Sequence, residues 1–195
     1  MKGTFKPKHL EKYKGDPTNI VWRSWWEFTV MSRFDNNPNV IEWSSEEVII
    51  PYRTLLDEQY EIKNKLPYRR YHRYFVDFYV KVKDRSGKVN KYLIEVKPLK
   101  ETKAPQRAEF RTEPSYQKAM RTWVINSAKW KAAREYCADR GMGFLIQTEE
   151  DIYGRPEHKP TKPIKPKATS KHRTGRSSRS DGLVQGKASR PRARK

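Results

Sequence analysis

Cysteine is almost missing: Cys137 is alone in 195 residues, which excludes an intramolecular disulfide framework and a multi-cysteine zinc site. The expected compartment is reducing, or the protein is indifferent to redox. Long apolar runs are also missing. Hydrophobic residues make up 35% of the chain, mean hydropathy is −1.06, and no stretch approaches the ~20 apolar residues that cross a bilayer. A membrane-spanning role is excluded on that ground. The charged start, Met1-Lys2-Gly3-Thr4-Phe5-Lys6, has no apolar run behind it and is not expected to act as a secretory signal. Histidines are few and scattered, and His72 has no second histidine at metal-ligand spacing, so zinc is not expected.

Acidic residues are scarce relative to basic ones, 23 Asp+Glu against 43 Lys+Arg, for a formal charge of +20. Such an excess attracts polyanions, because neutralising phosphates releases counterions. Nucleic acid is the expected partner. The excess is uneven: residues 155–195 hold 14 Lys+Arg and 2 acidic residues, and they contain no aromatic side chain. With Lys-Pro units giving way to Ser, Arg and Gly, this stretch lacks the apolar surface to fold alone. The expected organisation is a basic N-terminal arm (1–19), a folded domain (20–153) and a basic Pro/Ser/Arg-rich tail (154–195), disordered unless a partner orders it. DNA contact by that tail would be non-specific and salt-sensitive; docking to an acidic protein surface and plain solvated disorder remain open beside it.

Inside the domain, apolar residues from Val21 to Phe34 recur at helical spacing after a Thr18/Asn19 cap and stop at Asn36-Asn37-Pro38, which predicts a first helix. Residues 39–43 and 48–52 are strand-like and predict a hairpin. Residues 75–82 and 91–97 predict two further strands around a turn at 84–88, with Pro98 ending the second. Residues 115–140 predict a long helix closed by Gly141, and 144–147 a last strand. This order implies an α/β fold with a mixed sheet flanked by helices. Trp22, Trp25 and Trp26 are expected in the core, as is Cys137.

The turn at 84–88 decides what faces what. A three-residue loop, Arg85-Ser86-Gly87, with Gly87 in the left-handed region, sets Asp84 opposite Lys88 and Asp77 opposite Glu95. A two-residue loop would set Asp77 against Val96 instead. In the first register Asp77, Glu95 and Lys97 share one face of the sheet. Adjacent carboxylates repel, and a divalent ion such as Mg²⁺ resolves the conflict while polarising a phosphoryl oxygen. The bland alternative is a solvated face on which Lys97 simply pairs with an acid.

Asp77 followed by Glu95-Val96-Lys97 at the end of the next strand resembles the PD-(D/E)xK nuclease signature, with Val76 where the proline often stands. Further stretches resemble the head-completion nucleases of tailed phages and their relatives, the TnsA-type transposon endonucleases. They are Arg23-Ser24-Trp25-Trp26-Glu27, Asn37-Pro38-Asn39-Val40-Ile41-Glu42-Trp43, Ser45-Glu46-Glu47 with Ile50-Pro51-Tyr52, Arg73-Tyr74-Phe75-Val76-Asp77-Phe78 and Tyr92-Leu93-Ile94-Glu95-Val96-Lys97-Pro98. They keep their order across residues 20–153.

The resemblance implies a restriction-endonuclease-like fold and divalent-metal-dependent hydrolysis of DNA, by an endonuclease with exonuclease action also open. Asp77, Glu95 and Glu27 would be ligands of Mg²⁺ or Mn²⁺, and Lys97 the catalytic lysine; no small-molecule cofactor is implied. For Glu27 a surface pair with Arg23, one helical turn earlier, stays open. Gln117 falls where such nucleases often carry a glutamine, but no role is assigned to it. Arg69, Arg70 and Arg73, interleaved with Tyr68, Tyr71 and Tyr74, suit backbone phosphates of double-stranded DNA, with a solvated basic loop as the alternative. The biology implied is head completion and head-tail joining after DNA packaging. That places the protein in the host cytoplasm during assembly and at the virion neck or head vertex, with phage head or neck proteins as partners. Two rivals remain: a non-catalytic DNA-binding structural protein of the neck, and a transposon end-cleaving endonuclease.

Overall fold

The computed structural model of the chain describes residues 2–67 and 69–154. Tyr68 and all of the predicted tail beyond Gly154 lie outside the described residues. In chain order the elements are β1 (Gly3–Thr4), β2 (Val21–Trp22), α1 (Trp25–Asn36), β3 (Val40–Ser45), β4 (Ile49–Tyr52), α2 (Leu55–Asn64), β5 (His72–Phe75), β6 (Phe78–Lys83), β7 (Val89–Val96), α3 (Glu113–Ala138), β8 (Gly143–Gln147) and α4 (Glu149–Tyr153).

The central sheet has the order β3-β6-β7-β8. Its first two pairings are antiparallel, and β8 lies parallel to β7 after the α3 crossover. The sheet is therefore mixed, with helices on both faces, as the pattern implied. One face packs Trp43, Phe78, Val80, Ile94 and Val96 against Val30 and Met31 of α1. The other packs Leu93 against Ala133 and Cys137 of α3, joined by Ile50, Tyr74 and Val76.

The register of β6 with β7 is the one that the three-residue loop predicts: Phe78 stands opposite Ile94 and Lys83 opposite Val89. Gly87 adopts φ +86°, which glycine takes without a Cβ penalty. The Gly87 N–H donates to the Asp84 carbonyl at 3.0 Å and the Asp84 N–H to the Lys88 carbonyl at 2.9 Å. Asp84 Oδ1 also accepts from the N–H groups of Ser86 and Lys88. The loop is thus fixed by its own backbone and by one aspartate. α3 ends where expected, with Gly141 at φ +60° and the Met142 N–H returning to the Cys137 carbonyl at 2.9 Å.

Four expectations need correction. The first helix does not begin at Thr18/Asn19: Val21–Trp22 is strand, and Ser24 caps α1 by accepting from the Glu27 N–H. Residues 39–52 do not form a hairpin. Each half finds a distant partner, β3 on β6 and β4 on β5, because the polar 44–47 link passes through Glu46 at φ +58° and redirects the chain. Trp22 is buried and Trp26 packs against the core, whereas Trp25 is 52% exposed and stacks on Trp22 at 5.0 Å. α2 was not foreseen at all, although Thr54 and Asp57 form a capping box at its start.

The fourth correction concerns the N-terminal segment, which is part of the fold and not a free arm. β1 pairs with β2, and Phe5 and Tyr13 are buried with their rings edge-on to Trp43 at 5.7 and 4.8 Å. Asp35 on α1 is 1% exposed, and it accepts from the Lys8 N–H at 2.8 Å and the His9 N–H at 3.1 Å. Composition masked this, because lysines on the outside of a segment say nothing about two aromatics on its inside. Asp35→Asn replaces one acceptor oxygen with an amide donor facing an N–H. It is expected to destabilise the protein by about 2 kcal/mol in urea unfolding and to open residues 5–14 to limited proteolysis.

Candidate active site

The site forms where β6 begins and β7 ends. Glu95 is the penultimate residue of β7 and only 2% exposed. A carboxylate so buried requires partners, and it has two. The Tyr74 hydroxyl donates to its Oε2 at 2.6 Å, and Lys97 Nζ lies 2.9 Å from its Oε1. Asp77, just before β6, accepts from the Val96 N–H through Oδ2 at 2.8 Å, so the strand carrying Glu95 also aims Asp77. The Asp77 carbonyl accepts from the Glu46 N–H at 3.2 Å, which ties the end of β3 to the same point.

Burial raises the Asp77 carboxyl to about 7, and repulsion from Glu95 and then Glu27 adds to it, against the opposing pull of Lys97 and the Val96 N–H. Lys97 is held above its ordinary value: burial works to lower it, and the carboxylates of Glu95 and Asp77 outweigh burial. The bland alternative is met in one half: Lys97 does pair with an acid, Glu95, but that acid is buried, so the face is not a solvated one.

A cleft of about 500 Å³ opens beside these residues, lined by Arg23 to Glu27 from the start of α1 and by Val96, Lys97, Pro98 and Glu101. Glu27 thus faces Lys97 across the cleft and acts electrostatically on Asp77. Its carboxylate is engaged locally: Oε2 accepts from the Arg23 N–H at 2.7 Å and Oε1 from the Ser24 hydroxyl at 2.9 Å. The alternative of an Arg23–Glu27 ion pair is replaced by another partner, because the Arg23 guanidinium pairs with Glu46. Among the described residues no three His, Cys, Asp or Glu side chains converge as a ready ligand set. The acids of the site, Asp77, Glu95 and Glu27, offer hard carboxylate oxygens, donors that suit Mg²⁺ or Mn²⁺ and not a thiolate-seeking ion.

The three arginines are not in this cleft. Arg73 extends over the Phe75 ring at 5.6 Å, on the opposite side of β5 from Tyr74. Arg70 lies over the Tyr60 ring at 5.6 Å, with its backbone N–H on Glu61 at 2.5 Å, and Arg69 is exposed. Gln117 bonds Glu113 on an exposed face of α3, also outside the cleft. Sequence reasoning missed Tyr74, Arg23, Glu46 and the exposed Trp25 as parts of the site. All four lie in the stretches that carry the resemblance, and strand alternation adds a signal for Tyr74, since it puts that residue on the face opposite Arg73 and Phe75.

Two comparisons bear on this geometry. A family model for the N-terminal part of TnsA-like endonucleases matches residues 37–149. The head completion nuclease of Enterobacteria phage T4 is 37% identical over 153 residues, which cover 77% of this chain and 92% of that protein.

A raised carboxyl has a stability consequence. Because the folded Asp77 holds its proton up to about 7 while an unfolded one releases it near 4, the metal-free protein loses stability as pH rises through that window. Asp77→Asn keeps an oxygen for the Val96 N–H and removes the charge. It is expected to raise metal-free stability at pH 8 by about 1–3 kcal/mol in urea unfolding and to flatten the dependence between pH 4 and 7. An unchanged pH profile in the variant would show that Asp77 is not the group responsible.

Proposed function

The chain belongs to the TnsA-like endonuclease family, and on that premise we propose that it is a phage head-completion nuclease, hydrolysing phosphodiester bonds of double-stranded DNA at the cleft beside Lys97. The observation that carries the reading is the convergence of Asp77, Glu95 and Lys97 through the β6–β7 register. Mg²⁺ or Mn²⁺ would be held by Asp77 and Glu95, with Glu27 as the third acid of the cleft. When bound, such an ion supplies charge neutralisation and Lewis acidity at the phosphate.

The chain's own residues do the rest. Lys97 keeps its proton beside Glu95, so it meets the phosphate as a cation and offsets the charge that builds on its oxygens during attack. Tyr74 holds the second oxygen of Glu95, which fixes the carboxylate's direction. Arg23 neutralises Glu46 and keeps that acid from repelling the approaching backbone. Arg73 on the exposed side of β5, with Arg69 and Arg70 just before that strand, takes phosphates away from the cleft and orients the duplex without reading sequence. The protein would act in the host cytoplasm while heads are completed, docking on head or neck proteins at the vertex where the packaged DNA ends.

Cleavage of supercoiled and linear duplex DNA in Mg²⁺, Mn²⁺ or EDTA tests the reading. Asp77→Ala and Lys97→Ala are each expected to lower the rate about 10²–10⁴-fold, and EDTA to abolish it. Cutting that survives both substitutions would refute the assignment. Binding of DNA with no cutting in any metal would favour a structural neck protein. In the same assay, Arg73→Ala is expected to weaken duplex binding and to reduce the dependence of log affinity on log salt by about 1, with cleavage at saturation retained.

A further inference from the structure

A second cavity, of about 340 Å³, lies between the 99–112 segment and α3. It adjoins the candidate active site, since Glu101 lines both the cavity and the cleft that holds Lys97. Its size falls at the lower end for small-ligand sites, enough for a nucleotide and not for a duplex.

Three kinds of group in the lining suit a ligand, beside the carboxylates of Glu101 and Glu109, which three lysines outnumber. Lys100, Lys103 and Lys118 bring positive charge to the rim. Phe110 and Trp123 bring ring surface, and Trp123 is braced edge-on by Trp130 at 5.7 Å. Asn126 brings an amide: it is 7% exposed, it lines the cavity, and its side chain makes no hydrogen bond among the described residues. Its amide atoms are open to the cavity and not sealed among protein atoms, so they are free to meet a ligand. Glu109 also lines the cavity, but its carboxylate serves its own 3-10 turn by accepting from the Gln106 N–H.

Cations at a rim, aromatic faces within and one accessible amide able both to donate and to accept are together what an unpaired nucleotide requires. A paired base is excluded, because its edge is occupied and its faces are covered by its neighbours. We propose that this cavity is a subsite for an unpaired nucleotide of the DNA substrate, Asn126 meeting the base edge, Trp123 and Phe110 its faces and the three lysines its phosphates. The proposal rests on the nuclease reading and narrows it: the preferred substrate is DNA with a frayed or single-stranded flank next to the bond cut.

The test uses the full chain in EDTA, so that binding is read without cleavage. The probes are a flush-ended duplex and the same duplex ending in two unpaired nucleotides, one of them 2-aminopurine. The frayed end is expected to bind about tenfold tighter, a difference of about 1.4 kcal/mol, with a change in 2-aminopurine fluorescence. Asn126→Asp and Lys118→Glu should bring that ratio close to one. Lys118 is exposed, so its substitution leaves the core intact and keeps the test valid if the buried variant folds poorly. Trp123→Ala should lose the fluorescence change and Trp123→Phe restore most of it. A ratio near one in the unaltered protein, or a ratio that persists in Lys118→Glu and Asn126→Asp, would overturn the subsite. The nuclease reading fails separately, by the Asp77→Ala cleavage assay; a frayed-end preference without cutting would leave the subsite standing.

Discussion

Two carboxylates held side by side on neighbouring strands repel each other, and much of this fold can be understood as the means of keeping Asp77 beside Glu95 nonetheless. Burial first, and that repulsion after it, raise the Asp77 carboxyl. Against it stand a covalent path and a set of hydrogen bonds. The 84–88 loop sets the register, and the Val96 N–H, the Tyr74 hydroxyl and the Lys97 ammonium each hold one carboxylate oxygen. Shift the register by one residue and Glu95 turns to the α1 face, where Ile94 and Val96 now pack. Gly87 and Asp84, far from the cleft, are therefore as necessary to the site as its acids.

The same logic explains why the N-terminal segment is built in. α1 must present its first turn, with Arg23 to Glu27, to the end of β7. A helix end is placed only if the rest of the helix is held. Val30 and Met31 hold it to the sheet, Asp35 at its last turn holds residues 8 and 9, and Phe5 packs edge-on against Phe28 at 5.8 Å. The segment thus closes over α1 from the outside. Its five lysines gave the composition of an arm, and its two aromatics the role of a clamp.

How far the site was legible follows from the range of each interaction. The 84–88 loop is local, and its glycine, three-residue length and flanking alternation led to the correct register and so to the juxtaposition of Asp77, Glu95 and Lys97. The end of α3 is local too, and Gly141 marked it. What failed was non-local. Residues 39–52 read as a hairpin because proximity in sequence favours neighbours as partners; β3 instead joins the central sheet and β4 a ribbon with β5, with Trp43 buried in one core cluster and Ile50 in the other. Trp25 read as core for the same reason: helical spacing identifies a face but not whether another element covers it. Glu27 was legible as a charge out of place among tryptophans, yet its bonds to the Arg23 N–H and the Ser24 hydroxyl depend on where the helix starts, and the start was misjudged.

Glu27 also shows how structure and chemistry share one residue. As a cap it satisfies the backbone of the helix entrance, and its charge sits at the positive end of the α1 dipole. As an acid of the cleft it adds to the negative potential on Asp77. Glu27 in the cleft and Asp77 and Glu95 beside it therefore surround Lys97 with acidic charge, an acid-rich spot on a chain of net charge +20. A phosphate backbone is drawn to the protein as a whole and repelled by the cleft itself until a proton or a cation reduces that negative charge. Asp77 near its midpoint at neutral pH is the group that can take the proton. On the proposed reading, a divalent cation held by Asp77 and Glu95 would take the place of that proton and supply the positive charge that lets DNA approach. Long-range attraction and local repulsion are in this way set against each other, and on the proposed reading binding of the duplex and loading of the cleft would favour one another.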